Sequence, residues 1–76
     1  MSKREQLMEY ITQDVVAFLA EDRQLDFAEA MRIFYTSETY ERILDEETGL
    51  YLEGAAYIYD ILTTELDHGG LTQPEY

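Results

Sequence analysis

From Leu7 onward, apolar side chains recur at Leu7, Met8, Ile11, Val15, Phe18 and Leu19, a set that gathers on one side of a helix advancing about 100° per residue. That spacing predicts an amphipathic helix over roughly 4–22, brought to an end by the polar run Glu21-Asp22-Arg23-Gln24. Asp26 with Glu29 three residues later has the form of a capping box, so a second helix is expected from Phe27 to about Tyr35, burying Phe27, Ala30, Met31 and Phe34. Thr36 and Ser37 interrupt and recap the chain. Glu38 and Glu41 then suit the positive end of a short third helix, about 38–45, whose inner side is Tyr40, Ile43 and Leu44. Gly49, able to adopt a left-handed backbone, stops it.

Leu50-Tyr51-Leu52 is apolar but too short to found a sheet. It is expected as an extended loop that drops Leu50 or Leu52 onto the core, with a short strand pair as the alternative. A last helix, about 54–67, carries Ala55, Ile58, Ile61, Leu62 and Leu66 on one side, and His68-Gly69-Gly70 closes it. No internal repeat is visible. The pattern predicts an all-α fold, a compact bundle of about four short helices forming a single domain over residues 1–70, followed by a flexible tail over 71–76 that holds Pro74.

Charge changes this picture most. Seventeen Asp and Glu against five Lys and Arg leave a formal charge of −12 on 76 residues. Such a chain repels phosphate backbones and anionic lipid, so neither direct nucleic-acid binding nor membrane binding is expected. With 46% apolar residues, including seven Tyr and three Phe, it is nonetheless too hydrophobic for the disordered class. A domain of this length buries only about 60% of the surface of its unfolded chain, so a partner or a second copy would add usefully to a small stability margin. The absence of cysteine excludes disulfides and thiolate metal sites. No apolar run follows Lys3-Arg4, because Glu9, Thr12, Gln13 and Asp14 interrupt it, and no stretch reaches the length of a membrane span. A cytoplasmic location is therefore expected, without a secretory signal.

Candidate chemistry is sparse. His68 is the sole histidine, and a transition-metal site needs several converging N or S donors. The acidic loop fails the spacing of a calcium loop: counted from Asp45, Gly49 falls fifth instead of sixth and the twelfth position is Ala56. No cofactor or metal is expected. Serine occurs only at Ser2 and Ser37, lysine only at Lys3, and the glycines at 49, 54, 69 and 70 form no phosphate-cradling loop, so a non-catalytic chain is expected. Helices two and three resemble a helix-turn-helix in spacing. However, the face offered to DNA would carry Glu38, Glu41 and Asp45, a better imitation of nucleic acid than a receptor for it.

Seven tyrosines without a tryptophan are the more telling excess, since tyrosine joins a large apolar body to a polar tip and recurs at interfaces. On helical geometry Tyr57 lies about 130° and Tyr59 about 70° from the apolar centre of the last helix, and Tyr10 about 120° from that of the first. Tyr10 and Tyr57, together with the acids Glu38, Glu41 and Asp45, are the expected protein-interaction residues.

The run Tyr35-Thr36-Ser37-Glu38-Thr39-Tyr40, the turn from Asp45 to Tyr51 containing Thr48-Gly49-Leu50-Tyr51, and Tyr57-Ile58-Tyr59-Asp60-Ile61-Leu62 resemble a group of small, uncharacterised, mostly helical bacterial proteins, over roughly residues 5–67. The resemblance carries no site residues. Some proteins of this size and helical pattern are encoded beside toxin-like enzymes as neutralising partners. By analogy the leading expectation is an antitoxin-like or otherwise inhibitory module steered to a basic protein partner. The alternatives are a homodimeric structural module, joined through the edges of helices one and four as a homo-oligomer, and a nucleic-acid-mimicking inhibitor.

Overall fold

Ser2 opens the first helix with a reciprocal pair of bonds: its hydroxyl accepts the Glu5 N–H at 3.1 Å, while the Glu5 carboxylate accepts the Ser2 N–H at 3.2 Å. The structure, a computed structural model, describes residues 2–68. The expected tail over 71–76 lies outside them. Helix α1 (Lys3–Arg23) ends at Gln24, which takes a left-handed backbone with φ 57°, and the Leu25 N–H closes back onto the Ala20 carbonyl at 2.9 Å. Helix α2 (Phe27–Tyr35) starts where the sequence places it, with the Asp26 carboxylate accepting the Glu29 N–H at 2.8 Å. Glu29 turns its own carboxylate to Arg32, three residues on.

Ser37 joins two helix ends. Its hydroxyl donates to the Phe34 carbonyl at 2.6 Å and accepts the Tyr40 N–H at 3.1 Å, so one buried side chain finishes α2 and starts α3 (Glu38–Leu44). Two 3₁₀ turns follow, Glu46–Thr48 and Leu50–Leu52, separated by Gly49 in the left-handed region with φ 64°. The expected extended loop is thus a tight helical turn. Leu50 packs toward the core as anticipated, while Leu52 stands out in solvent. Gly54 leads into α4 (Ala55–His68), its carbonyl accepting the Ile58 N–H at 3.2 Å.

The four helices form an all-α bundle with no strand among the described residues. Helix α1 is the spine, packed along α2 on one side and α4 on the other, with α3 and the second 3₁₀ turn closing the end. The Cα extents are 40 × 30 × 18 Å, and the shortest corresponds to two layers of helices. One core layer therefore serves the whole fold: Ile11, Val15, Val16 and Leu19 from α1, Ala30 and Phe34 from α2, Ile43 from α3, and Ile58 and Leu62 from α4.

Two neighbours on α1 widen its buried arc enough to take in Val16, which the one-sided pattern leaves out. By contrast Phe18 lies at the edge of that arc, partly exposed, with its ring edge-on to Tyr59 at 5.6 Å. The thinness of the slab also leaves Phe27 and Leu44 in solvent, although both fall on apolar stripes. No helix of the described residues is long and apolar enough to cross a membrane.

Candidate protein-interaction surface

The acidic face is built on a helix start that is fully satisfied from behind. Glu65, on α4, accepts the Glu38 N–H at 2.9 Å, the Thr39 N–H at 3.0 Å and the Thr39 hydroxyl at 2.8 Å. With Ser37 holding the Tyr40 N–H, the first three free amides of α3 all have acceptors inside the fold. Thr39 and Ile43 point inward and are buried, which by helical geometry turns Glu38, Glu41, Arg42 and Asp45 outward.

Those outward residues line one shallow hollow with Thr48. Asp45 has a structural task as well: its carboxylate accepts the Glu47 N–H at 3.1 Å and caps the first 3₁₀ turn. Thr48 completes the corner, its hydroxyl lying 2.9 Å from both the Arg42 and Asp45 carbonyls and accepting the Leu50 N–H at 3.1 Å.

Tyr57 is 53% exposed and lines a second hollow with Leu50, Ile61 and the same Arg42 and Thr48. The two hollows therefore adjoin, and four of the five expected interaction residues share one continuous surface. Tyr10, 64% exposed, is also in solvent but lines a different hollow with Leu7, Ile11 and Leu52, which shares no residue with the acidic one.

A third region is not among the surfaces expected from the sequence. Between α1 and α2 lies a groove of about 430 Å³ floored by Met8, Val16, Phe27 and Met31 and ended by Tyr35 and Tyr40. Phe27 and Met31 are expected as core from their spacing, yet Phe27 is 55% exposed. One signal was available: in Phe-Ala-Glu-Ala-Met-Arg-Ile-Phe-Tyr the apolar residues occupy more of the circumference than a single neighbouring helix can cover. The Tyr35 and Tyr40 rings stand almost perpendicular, 88° apart with centroids 5.0 Å from each other, and Tyr40 is also edge-on to buried Phe34 at 5.2 Å. Burial, with the neighbouring Tyr35 phenol second, pushes the Tyr40 hydroxyl above its ordinary range.

Tyr59, Arg23 and Arg4 tie helices together. Tyr59 donates its hydroxyl to Asp22 at 2.7 Å and is pushed up to about 12, by burial first and then by that bond and the Asp22 charge, with Arg23 opposing. Arg23 donates to Asp67 at 2.9 Å, which raises its already high pKa further. Arg4 reaches the Leu44 carbonyl at 2.7 Å, lies over the Tyr51 ring at 5.4 Å and approaches Glu46 at 3.5 Å without the alignment of a hydrogen bond. Among the described residues, no three Asp, Glu or His side chains converge to hold a metal ion. No protein-family model matches the chain, and neither a curated protein nor a solved structure matches it.

Proposed function

We propose that the chain is a non-catalytic, cytoplasmic interaction module that binds and restrains a basic protein partner, in the manner of an antitoxin or an inhibitor. The observation that carries this reading is the joining of the Glu38, Glu41 and Asp45 hollow to the Tyr57 hollow through Arg42 and Thr48. It sets a large, exposed aromatic beside three carboxylates, the pairing of anchor and steering charge that protein interfaces use. The backbone at the start of α3 beneath it is held by Glu65 and Ser37, so that part of the face needs no backbone ordering at binding.

The test is a tagged pull-down from lysate of the source organism, read by mass spectrometry beside an equally acidic unrelated domain. Capture of one basic protein, lost with Tyr57→Ala and with Glu38→Gln, Glu41→Gln and Asp45→Asn combined, supports the reading. Unchanged capture by folded variants removes this surface from it. A homodimer is the second reading, favoured by the hollow that sets Tyr10 and Leu52 at the meeting of α1 and the start of α4. Light scattering that stays monomeric at high concentration sinks it.

A further inference from the structure

The α1–α2 groove differs from the acidic face in chemistry and location. Its walls are two ridges of four-residue spacing: Met8, Thr12 and Val16 on α1, and Phe27, Met31 and Tyr35 on α2. Two such ridges bordering one groove offer successive turns of both helices to a third helix presenting anchors at i and i+4. Its volume of about 430 Å³ is that of a ligand-sized cleft. Two methionines on the floor supply flexible, polarizable contact that adapts to the anchors' shapes.

Charge decides which helix fits. The one charged side chain lining the groove is Glu9, with Glu5 a turn earlier on the same face, inside a chain of formal charge −12. Tyr35 and Tyr40, whose rings stand perpendicular, line the same groove and form a corner that suits an ammonium or guanidinium group. A second copy of this chain would bring another −12 to the same surface, so like-charge repulsion opposes it as occupant.

We propose that the α1–α2 groove seats a cationic amphipathic helix of a partner protein, with apolar anchors on Met8, Phe27 and Met31 and basic residues toward Glu9 and the Tyr35–Tyr40 corner. This rests on the reading above that the partner is basic, but it assigns the contact to a separate surface.

Because the chain has no tryptophan, a synthetic peptide carrying one on its apolar face reports binding through an indole emission, excited beyond the tyrosine band, that the chain itself lacks. The probe is a Leu/Lys amphipathic helix of about 18 residues, long enough to fold on a surface. It is compared with a scrambled Leu/Lys peptide of equal charge and with a Leu/Glu helix, each titrated into the full chain. The expected result is a blue-shifted emission and binding at least ~10-fold tighter for the amphipathic Leu/Lys helix than for either comparator. Phe27→Ser and, separately, Glu9→Lys should each weaken it ~10-fold with the melting curve retained, while the Glu38→Gln, Glu41→Gln, Asp45→Asn variant stays within ~3-fold of the parent. Glu9→Lys alters an exposed residue and stands alone should Phe27→Ser fail to fold.

Equal binding of the scrambled peptide reduces the effect to long-range attraction and overturns the proposal. So does a loss confined to the acidic-face variant, an outcome that leaves the proposed function standing. A dimer in sedimentation that Phe27→Ser dissolves assigns the groove to a second copy and overturns it as well.

Discussion

The carboxylate of Glu65 holds Thr39 by both its backbone N–H and its hydroxyl, at 3.0 and 2.8 Å, across 26 positions of the chain. A residue near the end of α4 thereby supplements Ser37, the N-cap of α3, by accepting the two amides that Ser37 does not reach. The arrangement puts a negative charge at the positive end of that short helix and satisfies a buried hydroxyl at the same time. Glu65→Ala leaves both amides and the hydroxyl unsatisfied, and should lower stability by about 2–3 kcal/mol. Thr39→Val removes one bond of the three, at a cost of about 1 kcal/mol. Urea unfolding measures both, and amide exchange at Glu38 and Thr39 should accelerate in Glu65→Ala before exchange in α1 does. Equal acceleration throughout the chain would refute the local role of Glu65.

Two left-handed residues predict changes of opposite sign. Gln24 occupies that conformation with φ 57° although it carries a Cβ, so Gln24→Gly should stabilise the fold by about 0.5–1 kcal/mol. Gly49 has φ 64° and no atom within 4 Å of the place a Cβ would occupy, so Gly49→Ala is penalised by backbone conformation alone, at about 1 kcal/mol. Thermal melts of the two variants should move in opposite directions.

Alkaline pH tests the Tyr59 contact. The phenol titrates at about 12 in the folded chain against an ordinary value of 10.0. A pKa raised by folding means that the unfolded state releases the proton first. Stability from this group is therefore complete below about pH 10 and is lost as pH rises toward about 12. Tyr59→Phe abolishes the titration and the bond to Asp22 together. Between those two pH values the parent should lose stability more steeply than the variant; parallel curves would show that Tyr59 is not protected.

Arg4 binds the start of α1 to the end of α3, donating to the Leu44 carbonyl where a cation also favours the helix dipole, and covering the Tyr51 ring. Arg4→Ala should cost about 1–2 kcal/mol in urea unfolding. Arg4→Lys restores less than half of that, because an ammonium cannot reach the carbonyl and stack on the ring in one geometry.

Self-repulsion among the charges that sum to −12 should make the fold stabilise with salt. Raising sodium chloride from low ionic strength to about 0.15 M shortens the screening length to about 8 Å and should raise the melting temperature. A melting temperature that is flat or falls over that range would show that favourable ion pairs such as Arg23 with Asp67 outweigh the repulsion.

The local grammar of this chain was legible in its sequence. Asp26 and Ser37 lie where helix starts need a short acceptor, Gly49 where the backbone must turn left-handed, and Ile11, Val15, Leu19, Ile58 and Leu62 on stripes that become core. These features depend on near neighbours and on helical periodicity, so the order of residues determines four helices and most of their inner faces. The outward placement of Tyr10 and Tyr57 follows from the same periodicity.

Tertiary structure decided which stripes found a neighbour. Phe27 and Met31 obey the same spacing as Ala30 and Phe34, but α2 rests on α1 along only part of its apolar arc, and the uncovered part becomes a groove. Glu65 resembles any other surface acid until α4 lies against α3 and brings its carboxylate to two amides from a different segment. A sequence fixes what each residue offers within a few positions of itself; burial and long-range hydrogen bonds depend on which segments meet, and a bundle only two layers thick cannot cover every apolar side chain its sequence supplies.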